Sequence, residues 1–262
     1  MKKKIPHTFG GNVLNFVFPK GWDELTDEQL HYIAFCKCNY SSTQLKTYVF
    51  IRFAGIRVHR RTRRGWLCSV KNGFRKKIRF MLTAWQIESF IHQLDWLDEA
   101  PMVPVRLSVV SHYVACDSRL RELPFGTYLI CENLYQGYLH TKDSSLLLKM
   151  MPYLYTNVRF PGFRSIFPHR WSEHELLCIM LWWLSVKNYF LRVFPHFFQP
   201  MDSTADDAAP DMLAQMNLQI RALTGGDVTK EDFVMKMDTW RALTELDAKA
   251  REIQEFKKKQ KQ

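Results

Sequence analysis

Nine lysine and arginine side chains within residues 60–79 are the densest group of charged side chains in the sequence. Each can neutralise a phosphate and release its counterions. They lie inside a longer segment, between Glu28 and Glu88, that holds 13 Lys or Arg and no Asp or Glu. Trp66 and Phe74 are interleaved with them and offer rings on which bases could stack. The nine residues, called the basic patch below, are Arg60, Arg61, Arg63, Arg64, Lys71, Arg75, Lys76, Lys77 and Arg79.

The basic patch has two interpretations. It is either a nucleic-acid contact whose affinity falls with salt, or a solvated face that also suits an acidic protein partner. No zinc finger, recognition helix or RNA-binding sheet motif accompanies the charge. The formal net charge of +11 belongs mostly to the N-terminal third of the chain, so either contact would be local.

Motifs for catalysis and metal binding are missing from the sequence. It contains no nucleophile elbow, no phosphate-binding glycine loop, no dinucleotide fingerprint and no His-Glu-x-x-His helix. Cys36 and Cys38 are separated by one residue, which is not the spacing of zinc knuckles. The sequence therefore predicts a binding protein that is not an enzyme, with no catalytic residue, metal ligand or cofactor.

The compartment is predicted from the cysteines and from the apolar segments. The six cysteines lie in apolar surroundings, which favours reduced thiols in a chain of 262 residues. The Met-Lys-Lys-Lys start is followed by Ile5, Pro6, His7 and Thr8 where a signal peptide would be apolar. The apolar stretch 176–186 is interrupted by Lys187 and Asn188 and is too short to span a bilayer. These features predict a cytoplasmic protein.

Helix starts are predicted from four capping boxes, in which Ser or Thr is followed three residues later by Gln or Glu. Thr26 and Gln29 open a helix over 27–38, Ser41 and Gln44 one to 53, Thr83 and Gln86 one to 97, and Ser172 and Glu175 one to 194. Helical spacing of apolar residues adds an α-hairpin over 125–140 and 143–155.

A small sheet is predicted between these helices, where β-branched and aromatic residues flank Lys71, Asn72 and Gly73. Asn-Gly between two extended segments is a strong signal for a β-hairpin. We expect strands at 55–59, 65–70, 74–80 and 103–110. The fold class is thus mainly α with a small inserted antiparallel sheet, a multi-helix bundle followed by a C-terminal helical hairpin.

The chain is predicted to divide near its C-terminus. Residues 199–210 combine small, acidic and proline residues without a periodic apolar face and are typical of a linker. They separate a domain over 1–198, with its basic β insertion at about 54–110, from a helical hairpin over 211–262. In that hairpin Thr229 is expected to cap a last helix reaching about residue 256. One face of this helix, here the partner stripe, would bind another protein through Phe233, Met237, Trp240, Leu243 and Leu246.

Three segments carry a resemblance to a known group of proteins. They are the opening 18–30, with its Phe-Pro-Lys-Gly-Trp start, the segment 123–155 with Tyr128, Tyr135 and Tyr138, and the terminal helix pair. Together they resemble proteins encoded by phage and prophage-like gene clusters of gut bacteria of the Bacteroides kind. The resemblance implies a role in virion morphogenesis, as a tail-assembly protein or tail-assembly chaperone that binds phage-like structural proteins or itself. It also implies that the cytoplasm is that of a host cell, with association with a virion left open. The alternative is a nucleic-acid-binding protein that acts in packaging, replication or transfer.

Overall fold

The computed structural model describes residues 5–9, 12–16, 18–72, 76–159, 170–198 and 212–260. They belong to two compact units, residues 1–100 and 101–262. This division differs from the predicted one, since it falls near residue 100, whereas the predicted linker 199–210 lies outside the described residues. Within the described part, the mainly helical fold class with small antiparallel sheets is confirmed.

Among its described residues, the first unit combines three α-helices with two antiparallel sheets. Its elements are β1 Ile5–Phe9, β2 Asn12–Phe16, α1 Asp27–Asn39, α2 Ser42–Phe53, β3 Arg57–Thr62, β4 Gly65–Asn72, β5 Lys76–Leu82 and α3 Ala84–Ile91, followed by a 3-10 helix over His92–Asp98. Strands β3, β4 and β5 form one sheet with β4 in the centre. Phe50 on α2 stacks on Phe90 of α3, with ring centroids 4.7 Å apart, and anchors the core between these helices.

All four predicted helix starts are confirmed. At α1 the box is complete, because Gln29 N–H donates to Thr26 Oγ1 at 3.3 Å and Thr26 N–H donates to Gln29 Oε1 at 3.0 Å. The third predicted helix stops earlier than expected: α3 ends at Ile91 and continues as the tighter 3-10 helix. A Ser or Thr with a Gln three residues later therefore determines where each described α-helix of the first unit begins.

In its described ranges, the second unit is built on helices with one short sheet. Its elements are β6 Val109–Val110, β7 Tyr113–Ala115, α4 Phe125–Thr141, α5 Ser144–Leu154, β8 Tyr155–Asn157, α6 Glu173–Val193, α7 Met212–Thr224, α8 Glu231–Lys236 and α9 Thr239–Gln260. Helix α6 supplies the core, where Trp182, Trp183 and Phe190 are fully buried. Trp183 stacks on Tyr128 of α4, with ring centroids 5.7 Å apart.

The predicted strand 103–110 is wrong over most of its length. Only Val109 and Val110 pair with a neighbouring strand. Pro104 has no N–H to donate to a ladder, and Val105 N–H donates to the buried Ser185 Oγ at 3.1 Å. The hydroxyl of Ser185 on α6 therefore accepts the hydrogen bond that the Val105 N–H would have donated to a neighbouring strand.

A nearly buried lysine fixes α2 against the 3-10 helix of the first unit. Lys46 is 8% exposed, and its Nζ lies 2.5 Å from Asp95 Oδ1 and 2.6 Å from Asp98 Oδ2. Hydrogen bonds from Lys46 hold the pKa of Asp95 and of Asp98 below the ordinary carboxyl value of 3.8. Both carboxylates therefore bind protons less readily in the folded chain than in the unfolded one.

This arrangement predicts an acid-sensitive contribution to stability. Because the folded pKa values are lowered, the contribution is fully present above the unfolded pKa and is lost as pH falls through the folded values. We expect Lys46→Met to lower the urea midpoint at neutral pH and to reduce its further drop at low pH, as followed by tryptophan fluorescence. Arg52→Met, which removes an exposed ion pair with Glu28 at 3.2 Å, is the control. An equal acid response in wild type and Lys46→Met would contradict the prediction.

Candidate nucleic-acid interface

The sheet of β3, β4 and β5 has two chemically different faces. Side chains alternate between the faces along each strand, and residues directly opposite each other share a face. On β4, Trp66 and Cys68 stand on one face, opposite Leu82 and Phe80 of β5. Leu67, Ser69 and Lys71 stand on the other. The strand register therefore separates an apolar face from a polar one.

A β-bulge decides which arginines share the polar face. Val58 is opposite Cys68, yet Arg60 is opposite Leu67, so His59 is an extra residue on β3. Without the bulge, Arg57 and Arg60 would point to opposite faces because they are three residues apart. With it, both stand on the polar face. His59 Nε2 lies 2.8 Å from the buried Ser69 Oγ, which fixes the bulge to the centre of the sheet.

Five cations meet on the polar face, and we call this set the basic face. Lys71 is directly opposite Lys77, and Ser69 is flanked by Arg57 and Arg79. All five are exposed, and none forms an ion pair within the described residues. A cavity of about 330 Å³ opens beside three of them. The basic face consists of Arg57, Arg60, Lys71, Lys77 and Arg79.

The apolar face of the sheet borders a groove of about 580 Å³ against α2 and α3. Trp66 and Tyr48 supply aromatic rings, and most of the remaining lining is aliphatic. Arg61, opposite Trp66 in the register, places its guanidinium carbon 5.9 Å from the centroid of the indole. The lining residues are Thr43, Gln44, Thr47, Tyr48, Ile51, Val58, Trp66, Cys68, Leu82, Ala84, Ile87, Glu88 and Ile91.

The predicted basic patch is split by this geometry. Four of its members share the basic face, Arg61 stands on the groove side, and Arg63 and Arg64 lie at the turn between β3 and β4. Arg75 and the side chain of Lys76 lie outside the described residues. Arg57 was missed. Only the bulge shows that Arg57 shares a face with Arg60, and the alternation of residue types along the sequence does not reveal a bulge.

The predicted partner stripe is wrong as a single exposed helix face. The helix is interrupted, because Met237 is extended between α8 and α9 and its carbonyl accepts from Phe125 N–H at 2.8 Å. Asp238 then caps α9 by accepting from Arg241 N–H at 3.1 Å. Leu243 is fully buried in the second unit.

The other members of the stripe also differ from the prediction. Leu246 is buried in the unit's own core, and Trp240 donates to the carbonyl of Arg119 at 2.6 Å. Phe233 alone of the set is largely exposed, at 69%. Thr229, the expected cap, lies in a 3-10 turn and donates its N–H to Asp227 Oδ1 at 3.0 Å.

The thiols of the chain are kept protonated where they are buried. Burial raises the pKa of Cys36 and of Cys68, and raises that of Cys116 to about 12. A thiol held above its ordinary pKa is a poor nucleophile and a poor metal ligand. Among the described residues, no group of three or more His, Cys, Asp or Glu side chains is placed to hold a metal ion.

Helix α6 is long and apolar enough to cross a membrane, with a mean hydropathy of 1.3 over its best window. Core helices of globular proteins reach the same values. Here Trp182, Trp183, Val186 and Phe190 are all fully buried against the rest of the second unit. The helix thus acts as the core of its unit.

The turn that carries Arg63 and Arg64 depends on Gly65, and this gives a prediction. Its φ of +137° is open only to glycine, and a Cβ there would meet the carbonyl oxygen of Leu82. We expect Gly65→Ala to lower the free energy of unfolding by about 1–3 kcal/mol or more, measured by urea denaturation. Gly55→Ala, at φ +64° in open space, is the control and should cost only about 1 kcal/mol. Equal losses would contradict the close contact.

No family model matches the sequence, and no curated protein or solved structure matches it.

Proposed function

We propose that the chain is a non-enzymatic nucleic-acid-binding protein and that the basic face of the first unit is its contact surface. Five cations are positioned there by the register of three strands and by one bulge. Phosphates spaced along a strand are the ligand class that such an array of exposed cations neutralises. The protein would therefore bind nucleic acid through its backbone, with affinity that depends strongly on salt.

The pair formed by Lys71 and Lys77 is the observation that carries the proposal. Like charges directly opposite each other in a sheet destabilise it. Arg57 lines the same cavity, and no carboxylate compensates these charges within the described part of the chain. A bound phosphate would offset the repulsion between the two lysines. A purely structural role for the sheet does not explain why two lysines stand opposite each other.

The role in tail assembly stays a prediction from the resemblance. One of the sequence features that motivated it was an exposed partner stripe. Because Leu243 and Leu246 are buried in the core of the second unit, that stripe no longer supports a protein-docking role. The nucleic-acid proposal does not depend on those residues.

A salt titration tests the proposal. Fluorescence anisotropy of a labelled single strand should show affinity that falls roughly 100-fold between about 50 and 200 mM salt if five phosphates are neutralised. An acidic peptide of equal charge density serves as the competing ligand. Absent or salt-independent binding of nucleic acid, or tighter binding of the peptide, would refute the proposal.

A further inference from the structure

The groove on the apolar face of the same sheet is not part of the surface proposed to bind the nucleic-acid backbone. Its chemistry differs from that of the basic face. Its lining is mostly aromatic and aliphatic, with the uncharged polar side chains of Thr43, Gln44 and Thr47 and one carboxylate, Glu88. Arg61 lies at the ring of Trp66. A phosphate would lose its hydration there and face the Glu88 carboxylate. A neutral planar group would avoid both the loss of phosphate hydration and the repulsion from the Glu88 carboxylate.

We propose that this groove receives unpaired bases, so that the ligand class is single-stranded nucleic acid. The inference rests on the proposed function. Arg61, Arg63 and Arg64 take the phosphates of the nucleotides whose bases enter the groove, and the basic face, on the opposite side of the sheet, takes phosphates elsewhere along the same strand.

Trp66 and Tyr48 line the groove with aromatic rings. The guanidinium carbon of Arg61 lies 5.9 Å from the centroid of the Trp66 ring, and Tyr48 packs on Tyr40 with ring centroids 4.5 Å apart. Stacking on aromatic side chains is how sequence-tolerant single-strand binders hold bases. Bases in a duplex are already stacked and cannot enter a groove of this kind.

The charges around the groove match this orientation. Arg61 stands on the groove side of the sheet, and Arg63 and Arg64 follow at the adjoining turn. These three cations can follow the backbone of a strand whose bases point inwards. Glu88, which is exposed and has no ion-pair partner within the described residues, can accept from the exocyclic amino groups of cytosine or adenine.

The side chain of Tyr48 makes the proposal testable without disturbing the core. Tyr48 is 41% exposed on α2, and the ring it packs on, Tyr40, is itself 38% exposed, so Tyr48→Ala should leave the core intact, as checked by circular dichroism. Trp66→Leu is the second variant. Trp85, which is 68% exposed on α3 and does not line the groove, supplies the control variant Trp85→Leu.

The experiment compares a labelled single strand with the blunt duplex of the same sequence, by anisotropy at fixed salt. We expect Tyr48→Ala and Trp66→Leu each to weaken single-strand binding by roughly 5- to 150-fold and to leave duplex binding unchanged. Trp85→Leu should change neither. Unchanged single-strand affinity in Tyr48→Ala, or equal loss for both ligands, would overturn the inference even though salt-dependent binding by the wild type persists.

Two further outcomes are distinguishable. If the wild type binds neither ligand, the proposed function itself fails. If sedimentation shows a dimer that Tyr48→Ala dissociates, while single-strand affinity is unchanged, a second copy of the chain occupies the groove and the inference is refuted.

Discussion

Replacing the five cations of the basic face by glutamine should abolish most nucleic-acid binding at physiological salt. Each phosphate contact contributes about −0.7 to the slope of log affinity against log salt for a single strand, so the variant's slope should be shallower by about 3.5. None of the five forms an ion pair within the described residues, and all are exposed, so the fold should be retained. The variant carries Arg57→Gln, Arg60→Gln, Lys71→Gln, Lys77→Gln and Arg79→Gln.

The control variant removes the same number of charges from the second unit. Its five positions are exposed and distant in sequence from the sheet: Lys236→Gln, Arg241→Gln, Lys257→Gln, Lys258→Gln and Lys259→Gln. Both variants then have the same net charge, and only the position differs. Equal losses of affinity and slope would show that net charge, not the basic face, determines binding.

Removing the carboxylate of Glu132 should have the largest effect on stability. Its side chain is 15% exposed and forms an ion pair with Lys187 of α6. Trp183 Nε1 donates to Glu132 Oε2 at 2.8 Å, and Gln136 Nε2 donates to Oε1 at 2.7 Å. Glu132→Leu leaves the ammonium and the indole N–H unpaired, so we expect a loss of about 3–5 kcal/mol in the free energy of unfolding.

A double-mutant cycle by urea denaturation measures this coupling. The combination of Glu132→Leu with Lys187→Met removes both charges, and we expect it to recover part of the loss, since an apolar pair costs less than one unpaired charge. Glu255→Leu is the control, because its pair with Arg251 is exposed to solvent and should contribute little to stability. Additive losses in the cycle would contradict a coupled pair.

Local chemistry made the helices predictable. Ser or Thr with Gln or Glu three residues later opens a helix because the two side chains satisfy backbone donors of the first turn, and that needs no tertiary contact. The Asn-Gly hairpin is equally local, and β4 and β5 flank it as expected. The single helix predicted to begin at Thr229 was wrong because of a tertiary contact. The link between α8 and α9 is extended, and its backbone forms hydrogen bonds with Leu123 and Phe125.

The candidate site was predictable in composition but not in geometry. The absence of Asp and Glu between Glu28 and Glu88 correctly predicted that the excess positive charge lies on the β-sheet of the first unit. A bulge at His59 then set the face of Arg60, and only pairing with β4 reveals it. The groove was not foreseen, because its lining comes from two helices and three strands that are joined only in the folded unit.

Cross-linking tests the central claim most directly, because it locates the bound strand on the protein. A single strand carrying photoreactive thiouridine is irradiated with the full chain, digested, and the linked peptides are identified by mass spectrometry. We predict that the links fall within residues 43–91, which hold the sheet and the groove, and disappear in the five-glutamine variant of the basic face. Links confined to the C-terminal lysines Lys257, Lys258 and Lys259 would contradict the account.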